Sequence, residues 1–187
     1  MIRVLLVCTG NVCRSPVAEV LLREHWGGEW DVSISSAGTQ AMVGAPMYSP
    51  IRKALRDRNL PDDRLFVARQ LTAEMIAVAD LVLVMTRAHR ASVVTLCPTA
   101  VRRTFTLREF ARVAALAEPV LTPGPVADRL AELVPIAARS RGKSPVSAAD
   151  DAIEDPYGKG VPSCIAVVDR IEAAVDEIVA IVGKRGD

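Results

Sequence analysis

A short loop joins a predicted strand to a predicted helix in the sequence Val7-Cys-Thr-Gly-Asn-Val-Cys-Arg-Ser-Pro16. The apolar run Ile2–Val7 before this loop is typical of a buried parallel strand. Ser15 is predicted as the N-cap of the helix and Pro16 as its first residue, because serine and proline favour these positions. The helix is expected to end before Gly27-Gly28. These elements form the first strand–loop–helix unit of an α/β fold.

Strand and helix patterns alternate along the rest of the chain. Apolar or alternating residues predict further strands at 31–36, 80–85 and 101–105. Helices are predicted at 49–58 after a second cap-and-proline pair, Ser49-Pro50, then from Thr72, at 86–96, from Thr106 and at 163–182. The last helix has one apolar face, made by Ile165, Val168, Ile171, Val175, Ile178 and Val182. The alternation predicts a parallel sheet covered by helices on both faces.

Length and composition limit the classes of protein. The 187 residues suit a single domain spanning 1–187. Hydrophobic residues make up 50% and charged residues 24%, which excludes a disordered or membrane-embedded chain. The formal charge of +1 argues against a general nucleic-acid-binding protein. No apolar run approaches the length of a spanning helix, so we expect a cytoplasmic protein with no membrane partner.

Residues from about 115 to 150 interrupt the α/β pattern. The prolines in this region include Pro119, Pro123, Pro125 and Pro135. A basic run, Arg139-Ser-Arg-Gly-Lys143, follows them, and a short helix is predicted from Ala127. We therefore expect a surface excursion from the single domain.

The cysteines and histidines also limit the chemistry. Four cysteines are present, namely Cys8, Cys13, Cys97 and Cys164. They are too few and too unevenly spaced for a disulfide framework or a CxxC site. Cys13 lies close enough in sequence to Cys8 to form a disulfide under oxidation, but a structural thiol fits equally well. The two histidines, His25 and His89, lack metal-ligand spacing, so no metal is predicted and both are expected in packing or surface roles.

The loop after the first strand has the features of an anion site. Cys8 and Arg14 are separated by five residues, and Gly10 permits a curled backbone whose N–H groups point inward. Arg14 can grip two phosphate oxygens through its forked guanidinium. The same positive field favours the thiolate of Cys8, and Ser15 is placed to hydrogen-bond its sulfur. A metal-free phosphate-transfer pocket is predicted, although this spacing alone also fits a buried cysteine beside a solvated arginine.

A candidate acid lies near the other end of the chain. A thiolate that attacks a phosphate ester expels an alkoxide or phenolate, which needs a proton. Asp155 precedes Pro156, which disfavours helix at the acid and keeps it on a loop. Tyr157 would offer a flat wall to an aryl leaving group. An Asp-Pro pair by itself is more typical of a turn than of a catalytic acid.

Taken together, these motifs resemble the low-molecular-weight protein tyrosine phosphatases over nearly the whole chain except about 115–150. The matching segments are Cys8-Thr-Gly-Asn-Val-Cys-Arg-Ser-Pro16, Ser36-Ala-Gly-Thr39, Ala68-Arg-Gln-Leu-Thr72, Asp80-Leu-Val-Leu-Val-Met85 and Asp155-Pro-Tyr157. The resemblance implies one three-layer α/β domain with a four-stranded parallel sheet in the order 2-1-3-4. It also implies hydrolysis of phosphotyrosine in proteins through a phosphocysteine, with inorganic phosphate as product and no cofactor.

The resemblance also assigns roles to residues. Cys8 would be the nucleophile, Arg14 the phosphate ligand and Asp155 the general acid and then base. The phosphate-binding loop would comprise Thr9, Gly10, Asn11, Val12, Cys13 and Ser15. Asn11 would hold the shape of this loop by hydrogen bonds, with Ser36 as a partner. Met42 and Tyr157 would form the substrate wall.

Two departures from the family pattern bear on specificity. Met42 occupies the position of a frequent aromatic residue, and Phe66-Val67 replaces a frequent histidine before Ala68. Two alternative activities share the fold. A phosphoarginine phosphatase would be expected to carry threonine in place of Val12, and a thiol-dependent arsenate reductase would need a second cysteine near Cys97. A phosphate-binding module without activity is the non-catalytic alternative. The sequence predicts neither the physiological substrate nor the oligomeric state.

Overall fold

The computed structural model describes residues 1–28, 31–61, 65–116, 121–143 and 145–183. Within these ranges four strands form one parallel sheet in the predicted order, β2-β1-β3-β4. The strands are β1 (Ile2–Cys8), β2 (Val32–Gly38), β3 (Leu81–Val84) and β4 (Thr104–Thr106). β1 pairs with β2 along its whole length, so that Cys8 lies opposite Gly38 at the carboxyl edge of the sheet.

Helices cover both faces of this sheet. They are α1 (Arg14–Trp26), α2 (Ser49–Arg56), α3 (Ala73–Val78), α4 (Arg87–Leu96), α5 (Leu107–Ala115), α6 (Val126–Ser140) and α7 (Val161–Val182). Val4 and Leu6 point to the core shared with α1, α2, α5, α6 and α7, whereas Leu5 and Val7 point to the smaller core under α3 and α4. The alternation follows from the two-residue repeat of a strand and confirms the predicted three layers. None of the helices in the described ranges is long and apolar enough to span a membrane.

Helix starts differ from the prediction at both Ser-Pro pairs. α1 begins at Arg14 with Cys13 at the N-cap position, and α2 begins at Ser49 with Tyr48 at the N-cap position. Ser15 and Ser49 are therefore not N-caps, because each already lies inside the first turn. The start after Thr106 was predicted correctly, and Thr106 forms a reciprocal capping box with Glu109.

Two smaller expectations also need correction. The strand predicted at 101–105 is confined to Thr104–Thr106, because Pro98–Arg102 forms a 3₁₀ helix before it. Ile165 was assigned to the apolar face of the last helix but is partly exposed, whereas Val168, Ile171 and the other members of that face are buried.

The region predicted as a surface excursion contains α6. This helix has fifteen residues, longer than the short helix predicted from Ala127, and its Leu130, Leu133 and Ala137 side chains are buried in the larger core. The spacing of three and four between these residues is that of one helix face, which the neighbouring prolines obscured. The excursion prediction is therefore wrong for α6. Residues 117–120, with Pro119, lie outside the described residues, and the single-domain assignment for 1–187 remains a prediction.

Candidate active site

Asn11 fixes the shape of the loop between β1 and α1. Its φ of 53° lies in the left-handed region, which asparagine tolerates better than most residues. The Asn11 side chain is buried and donates to Ser36 Oγ at 2.8 Å and to Ser15 Oγ at 3.0 Å. Its Oδ1 accepts from the Arg69 backbone N–H at 2.9 Å. The predicted Asn11–Ser36 contact is present. Although Phe66-Val67 replaces the histidine frequent in the family, both the NH₂ group and the oxygen of the Asn11 side-chain amide have hydrogen-bond partners.

Cys8 lies at the end of β1 with its sulfur beside Ser15. Cys8 Sγ is 3.0 Å from Ser15 Oγ, as predicted, and both residues are buried. The Ser15 hydroxyl also lies 3.5 Å from the Ala37 carbonyl. Because a hydroxyl has one proton and an ionised sulfur is the better acceptor, this proton is available to a Cys8 thiolate.

Arg14 connects the loop to the distant candidate acid. Its guanidinium donates to the Ile153 carbonyl at 3.2 Å, to Thr9 Oγ1 at 3.2 Å and to Asp155 Oδ2 at 2.5 Å. Among the described residues Arg14 Nε has no hydrogen-bond partner, although it is buried. Several other arginines also have an unpartnered Nε, but Arg14 in addition lines the cavity described below, so its guanidinium can donate to an anionic ligand there.

Asp155 reaches the loop from residues 145–160, which we call the acid loop. The Ile153 N–H donates to the Met85 carbonyl at 2.8 Å and so attaches this loop to the end of β3. Asp155 Oδ1 accepts from the Tyr157 N–H at 3.2 Å, and 45% of the Asp155 side chain is exposed. The acid is thus oriented by its neighbours while remaining accessible to a ligand.

These residues line one cavity of about 200 Å³. Its lining consists of Cys8, Thr9, Gly10, Val12, Cys13, Arg14, Gln40, Met42, Asp155 and Tyr157. Asn11 and Ser15 are buried within the loop and Ser36 is buried on β2, and the hydrogen bonds among these three residues hold the shape of the loop. In the part of the chain that the structure describes, no three histidine, cysteine or acidic residues cluster in a way that could hold a metal ion.

Two residues that the sequence did not suggest, Gln40 and Tyr48, complete or support the predicted substrate wall. Met42 and Tyr157 are exposed beside the cavity, as predicted. The Tyr48 ring packs against Tyr157 with 4.9 Å between ring centroids, and its N–H donates to the Val12 carbonyl at 2.8 Å. Gln40 completes the lining. Tyr48 therefore supports the wall from behind, a role that only the tertiary fold reveals.

His89 is the other residue that sequence reasoning missed. Its ring is buried, with Nε2 2.9 Å from Thr9 Oγ1 and Nδ1 2.8 Å from Thr86 Oγ1. Burial and then the positive charge of Arg14 lower the pKa of His89 from about 6.5 to about 4. The ring is therefore neutral near pH 7 and links the phosphate-loop residue Thr9 to α4. The signal in the sequence was its place three residues after Thr86, which caps α4 at the carboxyl edge of the sheet.

Cys13 lines the cavity as a protonated thiol. Burial, with a smaller effect from Asp155, raises the pKa of Cys13 far above the usual range for a thiol. All four cysteines are free thiols in this structure. The two sequence-based alternatives for Cys13, a disulfide with Cys8 under oxidation and a structural thiol, both stay open.

The chain is similar to known phosphatases in both sequence and structure. A family model described as "Low molecular weight phosphotyrosine protein phosphatase" matches residues 3–125. The low molecular weight protein-tyrosine-phosphatase Ptp of Acinetobacter johnsonii is 38% identical over 106 residues, which are 56% of this chain and 70% of that protein. The protein-arginine-phosphatase of Geobacillus stearothermophilus is 29% identical over 177 residues, 94% of this chain and 93% of that one. The crystal structure of the Erwinia amylovora tyrosine phosphatase AmsI superposes with a TM-score of 0.70, at 26% identity and over 96% of this chain and 93% of that one.

Proposed function

Because the chain belongs to the low molecular weight phosphotyrosine protein phosphatase family, we propose that it hydrolyses phosphotyrosine in proteins through a phosphocysteine on Cys8. Inorganic phosphate is the product. One observation carries the proposal: Cys8, Arg14 and Asp155, which lie far apart in the sequence, line the same small cavity.

Binding comes first in the proposed reaction. The phosphate oxygens accept hydrogen bonds from the curled loop and from Arg14 Nε, in the space beside the Cys8 sulfur. A dianionic phosphate competes with the Asp155 carboxylate for Arg14 Nη2, because both are acceptors for the same N–H group. Substrate binding therefore releases Asp155 from the ion pair. Beside the bound dianion the freed carboxylate takes up a proton from solvent, so that Asp155 is a carboxylic acid near the leaving group when the reaction begins.

Two displacements at phosphorus follow. The Cys8 thiolate attacks, the bond from phosphorus to the phenolic oxygen breaks, and Asp155 gives its proton to the departing phenolate. Asp155, now a carboxylate, takes a proton from a water that attacks the phosphocysteine. The phosphorus–sulfur bond breaks, phosphate leaves, and the Ser15 hydroxyl at 3.0 Å stabilises the returning thiolate.

The cavity walls favour an aromatic ester. Val12, Met42 and Tyr157 present apolar surface around the opening, and a phenyl ring gains by covering it. The arginine-phosphatase relative, which aligns over most of the chain, supports phosphoarginine as the second candidate substrate. Val12 offers no hydroxyl to the polar guanidinium of that substrate, so we rank phosphotyrosine first.

A cytoplasmic location is part of this proposal. The Cys8 sulfur must stay reduced to act as a nucleophile, and a second buried cysteine, Cys13, lines the same cavity. A reducing compartment keeps such cysteines free.

A substrate panel tests the proposal directly. Turnover of matched peptides carrying phosphotyrosine, phosphoserine or phosphoarginine is measured as kcat/KM for the wild type and for Cys8→Ser. We expect phosphotyrosine to be the best substrate and Cys8→Ser to lose all measurable turnover while still binding phosphate. If kcat/KM is higher for phosphoarginine, then phosphoarginine and not phosphotyrosine is the preferred substrate. Appreciable turnover by Cys8→Ser would show that Cys8 is not the nucleophile.

A further inference from the structure

A buried ion-pair cluster lies four residues before the candidate acid. We call Asp151, Arg87 and Arg112 the Asp151 cluster. Asp151 is 2% exposed, although aspartate is seldom buried. Its Oδ2 accepts from Arg87 Nε at 3.0 Å and Nη2 at 2.5 Å, and its Oδ1 accepts from Arg112 Nη1 at 2.9 Å. Both carboxylate oxygens are therefore paired with guanidinium groups.

The two arginines belong to different helices. Arg87 is the first residue of α4 and Arg112 lies in α5, so Asp151 is attached to helices from both faces of the sheet. Arg87 Nη2 also donates to the Val146 carbonyl at 2.8 Å, and Arg108 donates to the Asp150 carbonyl. Residues 146–151 are thus held by several directional contacts before the chain turns toward the cavity.

The chain from the Asp151 cluster to the acid is short and extended. Residues 152–156 have no helical or strand structure of their own, and Ile153 is bound on both sides. Its N–H donates to Met85 and its carbonyl accepts from Arg14. Where Asp151 is placed therefore limits where the Asp155 carboxyl can reach.

We propose that Asp151 is a positioning residue, which holds the acid loop through Arg87 and Arg112 so that Asp155 can protonate the leaving group. This inference rests on the proposed function. A buried ion pair adds little net stability compared with apolar packing, because desolvation offsets most of the attraction. Its forked hydrogen bonds do fix orientation, and orientation is what a proton donor requires.

The placement of Asp151 predicts a defect that depends on the leaving group. Asp155 matters most when the departing oxygen is basic, and least when the phenolate is already stable. A loosened acid loop should therefore slow poor leaving groups and spare activated ones. Phosphate binding should be unchanged, because the cavity contacts made by Cys8 and Arg14 remain.

The variant Asp151→Asn tests this directly. It keeps the size of the side chain but removes its charge and turns an amide toward a guanidinium. We expect kcat for phenyl phosphate to fall roughly ten- to a hundredfold, as a misplacement of about 1 Å would give. We expect kcat for p-nitrophenyl phosphate to change less than about twofold and the Ki of inorganic phosphate to stay the same. Asp57→Asn, which breaks an exposed pair with Lys53, is the matched control.

Several outcomes overturn the inference. Equal losses on both substrates, or no loss on either, would make Asp151 merely structural or irrelevant. Arg112→Lys keeps a charge but loses the fork, and it decides the question with the same two substrates if Asp151→Asn does not fold. If the wild type hydrolyses neither substrate, the proposed function fails first. If the wild type is active and these variants show no leaving-group dependence, only the positioning role fails.

Discussion

Two loops meet at Arg14, and the protein holds them in different ways. The phosphate loop (residues 8–15) is buried, and Asn11 ties it to its neighbours through three side-chain hydrogen bonds. The acid loop is largely exposed and is attached at separate points, of which the Ile153 backbone and the Asp151 cluster are the strongest. Asp155 itself is nearly half exposed, whereas Arg14 is almost fully buried.

This difference matches the two tasks. An anion site works best when its donors are fixed in advance, since their reorientation would otherwise cost free energy during the reaction. In the proposed reaction Asp155 must first leave Arg14 and then meet the leaving-group oxygens of substrates with different shapes. Changes in the phosphate loop should therefore harm every substrate, whereas changes in the acid loop should harm substrates according to their leaving groups.

The largest effect is expected from Arg14→Lys, because Arg14 serves both loops. Lysine keeps the charge but loses the fork that reaches Ile153, Thr9 and the ligand. We expect kcat/KM to fall about a thousandfold on activated and poor substrates alike. Arg23→Lys is the control, since Arg23 pairs with Glu19 elsewhere on α1. Near-normal kinetics for Arg14→Lys would show that the phosphate does not need a bidentate partner.

Asp155→Ala should have a smaller and selective effect. Without a proton donor, kcat for phenyl phosphate should fall about a hundredfold, and kcat for p-nitrophenyl phosphate should fall only a few fold. Steady-state assays with the two esters measure the contrast. An equal loss of kcat on both esters would contradict a proton-donor role for Asp155, and with it the proposed difference between the two loops.

Features that rest on neighbouring residues were predictable from the sequence. The apolar runs gave the strands, and the cap at Thr106 was correct because capping depends on residues three positions apart. The Asn11–Ser36 contact followed from the family resemblance and is present between the carboxyl ends of the adjacent strands β1 and β2. Ser15 was misassigned as a cap because its hydroxyl serves the site, a use that local propensity does not contain.

Contacts between distant residues that no motif or resemblance marked were not predictable. Asp151 pairs with two arginines that are distant in the sequence: Arg112, at a separation of 39 residues, and Arg87, at a separation of 64 residues. His89 pairs with Thr9, at a separation of 80 residues, and the sequence pattern of α4 does not indicate that partner. The buried face of α6 was hidden by Pro135, which usually breaks a helix. In each case the sequence carried the residue type, and only the fold supplied its partner.

His89→Gln should give the smallest effect on turnover and a clear effect on stability. His89 lies behind the phosphate loop and touches Thr9, not the cavity contents, so we expect kcat/KM at pH 7 to fall no more than a few fold. The pKa of His89 is about 4 in the folded protein and near 6.5 when unfolded. The folded state therefore binds fewer protons, and its stability is fully present above pH 6.5 and is lost as the pH falls toward 4.

Glutamine cannot take up that proton, so the variant should lose less stability on acidification than the wild type, by an amount on the order of 2–3 kcal/mol. Urea unfolding at pH 7 and pH 4.5 measures most of this difference, because the interval covers most of the titration. His25→Gln, which removes the histidine at the far end of α1, is the control. If His25→Gln and His89→Gln reduce the pH dependence of the unfolding free energy equally, the effect does not come from the buried His89 ring. If His89→Gln instead abolishes turnover at pH 7, the rigidity of the phosphate loop depends on α4 as much as on Asn11.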